Sequence, residues 1–180
     1  MGKMGTPKEP KPAKYFVALL SSEVDLLSAV ETDLAALLGG IDMRSETMPW
    51  TASRFYENEL GVGLLRRFLS FDPLLSPQEL ADIKLATQNI EECYRSVTGG
   101  RRINLDPGYV EVGKVVLAST KNASQRIYLR GGIFAEATLL YYDGVFHGCP
   151  YTYPDYLWPP TLRFLTVSRT RYLEQLRQLG

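Results

Sequence analysis

Four clusters of side chains in this chain have the types and spacing to do chemistry. The first runs from Arg101 to Tyr109, RRINLDPGY. Asp106-Pro107-Gly108 reads as a turn, with Asp capping, Pro fixing φ and Gly supplying positive φ. Arg101, Arg102, Asn104 and Tyr109 surround it. Arginine presents a planar fork of donors that suits an anion, and loops often carry function. The second cluster is the stretch 120–132. On a strand, Arg126, Tyr128 and Arg130 share one face, with Lys121 just upstream. On the next strand Glu136 sits among apolar neighbours, where an acid needs a partner. Arg126 or Arg130 across the hairpin is the natural one. The alternatives are a ligand-facing surface or a solvated face with an ion pair. The third cluster is YTYPDY, residues 151–156. Its rings, with Tyr153 and Asp155, either close over a ligand or plug the end of a sheet. The fourth is Glu57 and Glu59, which on a strand would share a face. Paired carboxylates can hold Mg²⁺, although surface glutamates are more often solvated.

Other constellations are missing. His147 is the single histidine, so chemistry that needs two histidines is excluded. It stands two residues from Cys149, and the pair reads as turn residues unless something activates the thiol. The sequence has no phosphate loop ending in Gly-Lys-Ser/Thr, no G-x-G-x-x-G after the first strand, and no Cys or His at metal-ligand spacing. Twenty basic residues cancel twenty acidic ones, which argues against non-specific nucleic-acid binding. No apolar run approaches the roughly 18–20 residues that span a bilayer. Two cysteines and no secretory signal point to a cytoplasmic protein with reduced thiols.

The elements that must position these side chains follow from hydrophobic periodicity. Residues 1–13 read as a disordered basic, Pro-rich tail and 14–180 as a single domain. Tyr15 to Leu20 is an apolar run that fits a buried strand. Ser22 offers an N-cap, Leu27, Val30, Leu34 and Leu37 make one helical face, and Gly39-Gly40 ends the helix. Phe55 to Phe71 reads as one or two strands with a bulge at Gly61 and Gly63. Ser76-Pro77-Gln78-Glu79 is a capping box with Pro at N1. Leu80, Ile83, Thr87, Ile90 and Tyr94 follow as a buried face, Lys84, Gln88 and Glu91 lie on another, and Gly99-Gly100 ends this helix. A strand meander comes next, turning at Gly131-Gly132 and Asp143-Gly144. The Pro-rich stretch 150–160 reads as an irregular loop before a closing helix from Ser168 to Leu179. The order predicts an α+β fold, a mostly antiparallel sheet packed against two to three helices.

The runs INLDPGY, VVLASTKN, RIYLRGGIFAEATLLYY and TYPDY occur in that order. With the opening YFVALLSS, they resemble the prokaryotic family known as domain of unknown function 4416, over nearly everything after the tail. That family's pattern has a His before the Arg-Ile-Tyr-Leu run and a Trp before Thr-Tyr-Pro-Asp-Tyr. Here Gln125 and Tyr151 stand in those places, so neither can be a required catalytic His or an obligatory indole stack. The resemblance implies one recognisable unit and no particular activity.

The leading expectation is a domain that binds a small anionic or phosphorylated ligand, a nucleotide among the candidates. Arg126 and Arg130 form the basic face, with Arg101, Arg102, Lys114 and Lys121 on nearby segments. Rings at Tyr109, Tyr128, Tyr153 and Tyr156 would line it, and Asp106, Glu136 and Asp155 would orient the ligand or a metal. No cofactor is evident. An enzyme with this inventory would suit Mg²⁺-assisted phosphoanhydride or phosphoester chemistry. One alternative is a non-catalytic protein-interaction module anchored by Tyr156 and Trp158 in the 150–160 loop. Another is a single-stranded RNA binder, which the neutral charge disfavours.

Overall fold

The structure, a computed structural model, describes residues 5–179. Residues 5–12 have no regular secondary structure, and the first four residues of the expected tail lie outside the described range. Strand β1 (Ala13–Ser21) follows and is buried along its whole length. Its apolar residues run without alternation because both faces are covered. Tyr15, Val17 and Leu19 enter one core, and Phe16 and Ala18 enter a second. Each such side chain contributes roughly 1.5–3 kcal/mol of burial.

Helices α1 (Val24–Leu38) and α3 (Leu80–Cys93) cover the first face. Helix α4 (Pro159–Leu179) covers the second, through Phe164 and Leu165. The remaining strands are β2 (Ile41–Arg44), β3 (Met48–Pro49), β4 (Leu65–Leu75), β5 (Asn104–Val110), β6 (Lys114–Ser119), β7 (Ile127–Arg130), β8 (Ile133–Tyr142) and β9 (Val145–Gly148). They form one sheet in the order β2-β4-β1-β5-β6-β8-β7, with β3 on β4 and β9 on β8. Every pairing in it is antiparallel. The α+β fold matches the sequence expectation. Among the described residues no helix is long and apolar enough to cross a membrane.

Local signals differ in how well they hold. The Ser76 capping box forms, with the serine hydroxyl accepting from the Gln78 N–H and Glu79 reaching back to the Ser76 N–H. Both expected hairpin turns form, with positive φ at Gly131, Gly132, Asp143 and Gly144. Ser22 does not cap α1. Its hydroxyl donates to the Leu60 carbonyl, and Glu23 takes the cap position without a side-chain bond. Helix α3 ends at Cys93, before the glycine pair. Helix α4 begins nine residues earlier than periodicity suggests, because Pro159 and Pro160 occupy its first turn, where an N–H is not needed. The segment 55–64 is not strand. It holds a single helical turn, α2 (Glu57–Leu60), closed by Gly61 at φ 87°.

The largest correction concerns Asp106-Pro107-Gly108. These residues lie inside β5, between β1 and β6, and not in a turn. Gly108 is required there by close packing, since a Cβ would meet the Val116 carbonyl oxygen at 2.5 Å and the Phe16 ring at 2.8 Å. Pro107 is tolerated for a different reason. Strand β5 pairs with β6 only through Gly108, Tyr109 and Val110, whereas it pairs with β1 from Asn104 onward. The two strands part at Pro107, on the side where its missing N–H would have pointed.

Candidate functional site

The parting of β5 and β6 opens a cleft of about 510 Å³, within the range of small-ligand sites. Residue Leu105 exposes its backbone to the vacated side, and α3 replaces the missing strand. The Glu91 carboxylate accepts from the Leu105 N–H at 2.6 Å, and the Lys84 ammonium donates to the Leu105 carbonyl at 2.8 Å. Lys84 also pairs with Asp106 at 3.1 Å, and Asn104 donates to the other Asp106 oxygen at 2.6 Å. The helix face of Lys84, Gln88 and Glu91 is therefore a wall of the cleft, with Lys84 and Glu91 buried.

Further segments complete the lining. Arg101 holds Glu59 through Nε and Nη2, at 2.5 and 2.7 Å, and touches Glu91 and Asn104 through Nη1. Glu57 and Glu59 share no strand face; Glu59 is tied to Arg101 from the α2 turn. Beyond β6, Lys121 sets its ammonium 4.4 Å from the Phe55 ring centre. Arg126 donates to Glu136 at 2.9 Å, to the Lys121 carbonyl and to the Tyr153 hydroxyl. Gln125 and Thr138 also donate to Glu136, so this buried acid is fully engaged. On the floor, the buried Arg66 of β4 donates from Nε and Nη2 to one oxygen of Asp155, at 3.0 and 2.8 Å. Trp50, Tyr56 and Tyr156 add aromatic walls.

Five cations and five carboxylates line this space. Burial pushes the Glu91 and Asp155 carboxyls above the ordinary carboxylate range, against the pull of Lys84 and Arg66 respectively. Burial acts on Asp106 too, but Lys84, Arg66 and the Asn104 hydrogen bond outweigh it and hold its carboxyl low. Tyr56 is pushed up to about 12 by burial and by Asp106. Among the described residues, no group of three or more His, Cys, Asp or Glu side chains is gathered to hold a metal ion.

Of the residues singled out in the sequence, Arg101, Asn104, Asp106, Lys121, Arg126, Glu136, Tyr153 and Asp155 meet in the cleft. Four others do not. Arg102 pairs with Glu23 on the surface. Tyr109 packs in the core against Tyr15. Tyr128 is exposed and packs on Phe134, and Arg130 pairs with Asp82 at the start of α3. The basic face of Arg126, Tyr128 and Arg130 does not exist as one surface, because Arg126 precedes β7 and the ladder shifts register between Tyr128 and Arg130. Lys114 pairs with Glu111. The residues that sequence reasoning missed are Arg66, Lys84, Glu91, Trp50 and Tyr56. Only Lys84 and Glu91 left a signal, as polar residues on a helix that packs against the sheet.

The family model described as Domain of unknown function (DUF4416) matches residues 11–172. The chain belongs to this family. Comparison with curated proteins and with solved structures gives no match. The matched span contains every residue that lines the cleft. Gln125 donates to Glu136 and Tyr151 donates to the Ala137 carbonyl.

Proposed function

We propose that the cleft between β5 and β6 binds a small anionic ligand, with phosphate as the anion. The observation that carries this reading is the exposed Lys121, which has no carboxylate partner among the described residues. It lines a space that also gathers Arg66, Lys84, Arg101 and Arg126. An ammonium free of a carboxylate beside a cluster of cations is a ready anion contact. Any Mg²⁺ would enter with the ligand's phosphates, and turnover would be read as phosphate release with and without that ion. The setting we propose is the prokaryotic cytoplasm, consistent with two free thiols, Cys93 and Cys149.

The test is a thermal-shift screen against sugar phosphates, nucleotides and polyphosphate. A ligand at one hundred times its dissociation constant adds about 2.7 kcal/mol to stability. Lys121→Ala and Arg101→Ala should weaken the hit. Arg130→Ala, outside the cleft, should leave it unchanged. Equal loss in all three variants, or loss in Arg130→Ala alone, contradicts the proposal.

A second reading is protein docking. The loop anchors expected from sequence do not supply it, because Tyr156 is buried and Trp158 is half-buried against Trp50. What favours it is an apolar strip at the β7 and β9 edge, where Ile127, Tyr128, Tyr142 and Val145 are all more than half exposed.

A further inference from the structure

The floor of the cleft says more about the ligand than its charge. Four buried side-chain polar atoms among the described residues lack a hydrogen-bond partner, and three belong to residues that line the cleft: Arg66 Nη1, Asp155 Oδ1 and the Tyr156 hydroxyl. The three residues are 3%, 0% and 2% exposed. Leaving such a group unpaired is costly, so a concentration of three at one ligand-sized cleft marks a place where binding would satisfy them. The Tyr156 hydroxyl belongs to this charged set, since Arg66, Asp155 and Asp106 all act on its ionisation.

The three atoms are chemically mixed. Arg66 Nη1 can only donate, a carboxylate Oδ1 can only accept, and the hydroxyl can do either. A phosphate would satisfy the arginine and be repelled by Asp155. An ammonium group would do the reverse. A neutral group carrying both a donor and an acceptor satisfies all three. Trp50, Tyr56 and Tyr153 beside them favour a flat group. Among the described residues the lining cation without a carboxylate partner is Lys121, exposed and over Phe55.

Building on the anion reading above, we infer that the Arg66–Asp155–Tyr156 floor holds the base of a nucleoside phosphate, with the phosphate toward Lys121. The ligand then enters base first, and the floor reads the base through its hydrogen-bonding edge.

Calorimetric titration of the full chain with four nucleoside 5′-monophosphates, the four nucleosides, ribose 5-phosphate and tripolyphosphate tests this. At least one nucleotide should bind about tenfold or more tightly than ribose 5-phosphate. Tyr156→Phe should weaken that nucleotide about fivefold, the worth of one hydrogen bond near 1 kcal/mol. It should not weaken ribose 5-phosphate, nor lower the melting temperature, since the hydroxyl has no partner to lose. Asp155→Asn is the second variant, scored only if it melts cooperatively, because it leaves Arg66 buried without its carboxylate. Ribose 5-phosphate or tripolyphosphate binding as tightly as the best nucleotide overturns base recognition and leaves the anion reading standing. A nucleoside binding as tightly as its nucleotide, with loss in Tyr156→Phe, supports base recognition and overturns the anion reading. No binding by any of them overturns both.

Discussion

Lys14 shows how this molecule handles a charge it has buried. It has no solvent exposure, and its ammonium donates to Asp42 at 2.7 Å, to the Phe71 carbonyl and to Gln175 of α4. Asp42 also accepts from Ser70 at 2.5 Å and lies near Arg171. Removing one partner of such a pair leaves an uncompensated charge. Asp42→Asn should therefore destabilise the fold by about 3–5 kcal/mol, seen as a lowered urea midpoint. Glu136→Gln should cost a comparable amount, because Arg126 and Glu136 are both nearly excluded from solvent. The Arg126–Glu136 pair was readable in the sequence, since an acid amid apolar strand residues demands a cation. Arg66 was not. It sits in the Arg66-Arg67 doublet of a strand whose alternation sends Arg67 to Glu31 and Arg66 inward, and only the tertiary packing says which is which.

Strand β5 carries the element-scale argument. Asp-Pro-Gly is turn chemistry in an isolated peptide, and nothing local says otherwise. What overrides it is tertiary: β1 pairs along its whole length on one side, while on the other β6 pairs only up to Gly108. Proline is then placed where no partner strand asks for an N–H. The same reasoning explains why the sequence placed Lys84 and Glu91 only on a face apart from the apolar one. Helical periodicity shows which residues share a face, not that the strand beneath has withdrawn and left backbone groups for side chains to satisfy. Gly108→Ala should destabilise the protein by about 1–3 kcal/mol or more, the cost of overpacking a filled site. Its Cβ would collide with the Val116 backbone oxygen, which cannot swing away as a side chain can. Amide exchange should show the loss concentrated in β5 and β6.

At the scale of the molecule, neutral net charge and a charge-balanced cleft set the response to pH. Asp42 and Asp106 have carboxyls held below the ordinary value of 3.8, so their contribution is present above that value. It is lost as the pH falls through their lower, folded-state values. Glu91 and Asp155 are raised and act in the opposite sense, because the folded state takes up their protons first. Urea midpoints should hold or rise slightly from pH 7 to pH 5 and fall below about pH 4. A steady fall beginning at pH 7 would contradict these assignments. The fold class was legible because periodicity and turn chemistry agree along most of the chain. The cleft was half legible, since its residues come from seven separate segments whose meeting depends on strand order.

The measurement that bears most directly on the cleft as the ligand site is a ¹H–¹⁵N titration with the strongest hit of the phosphate screen. Shifts should concentrate at Asn104 to Asp106, Ala118 to Lys121 and Asp155 to Tyr156, together with the Trp50 indole N–H, which donates to the Ser53 carbonyl at the cleft wall. Shifts confined to Ile127–Arg130 and the β9 edge, with the Trp50 indole unmoved, would contradict the account and place binding on the exposed end of the sheet.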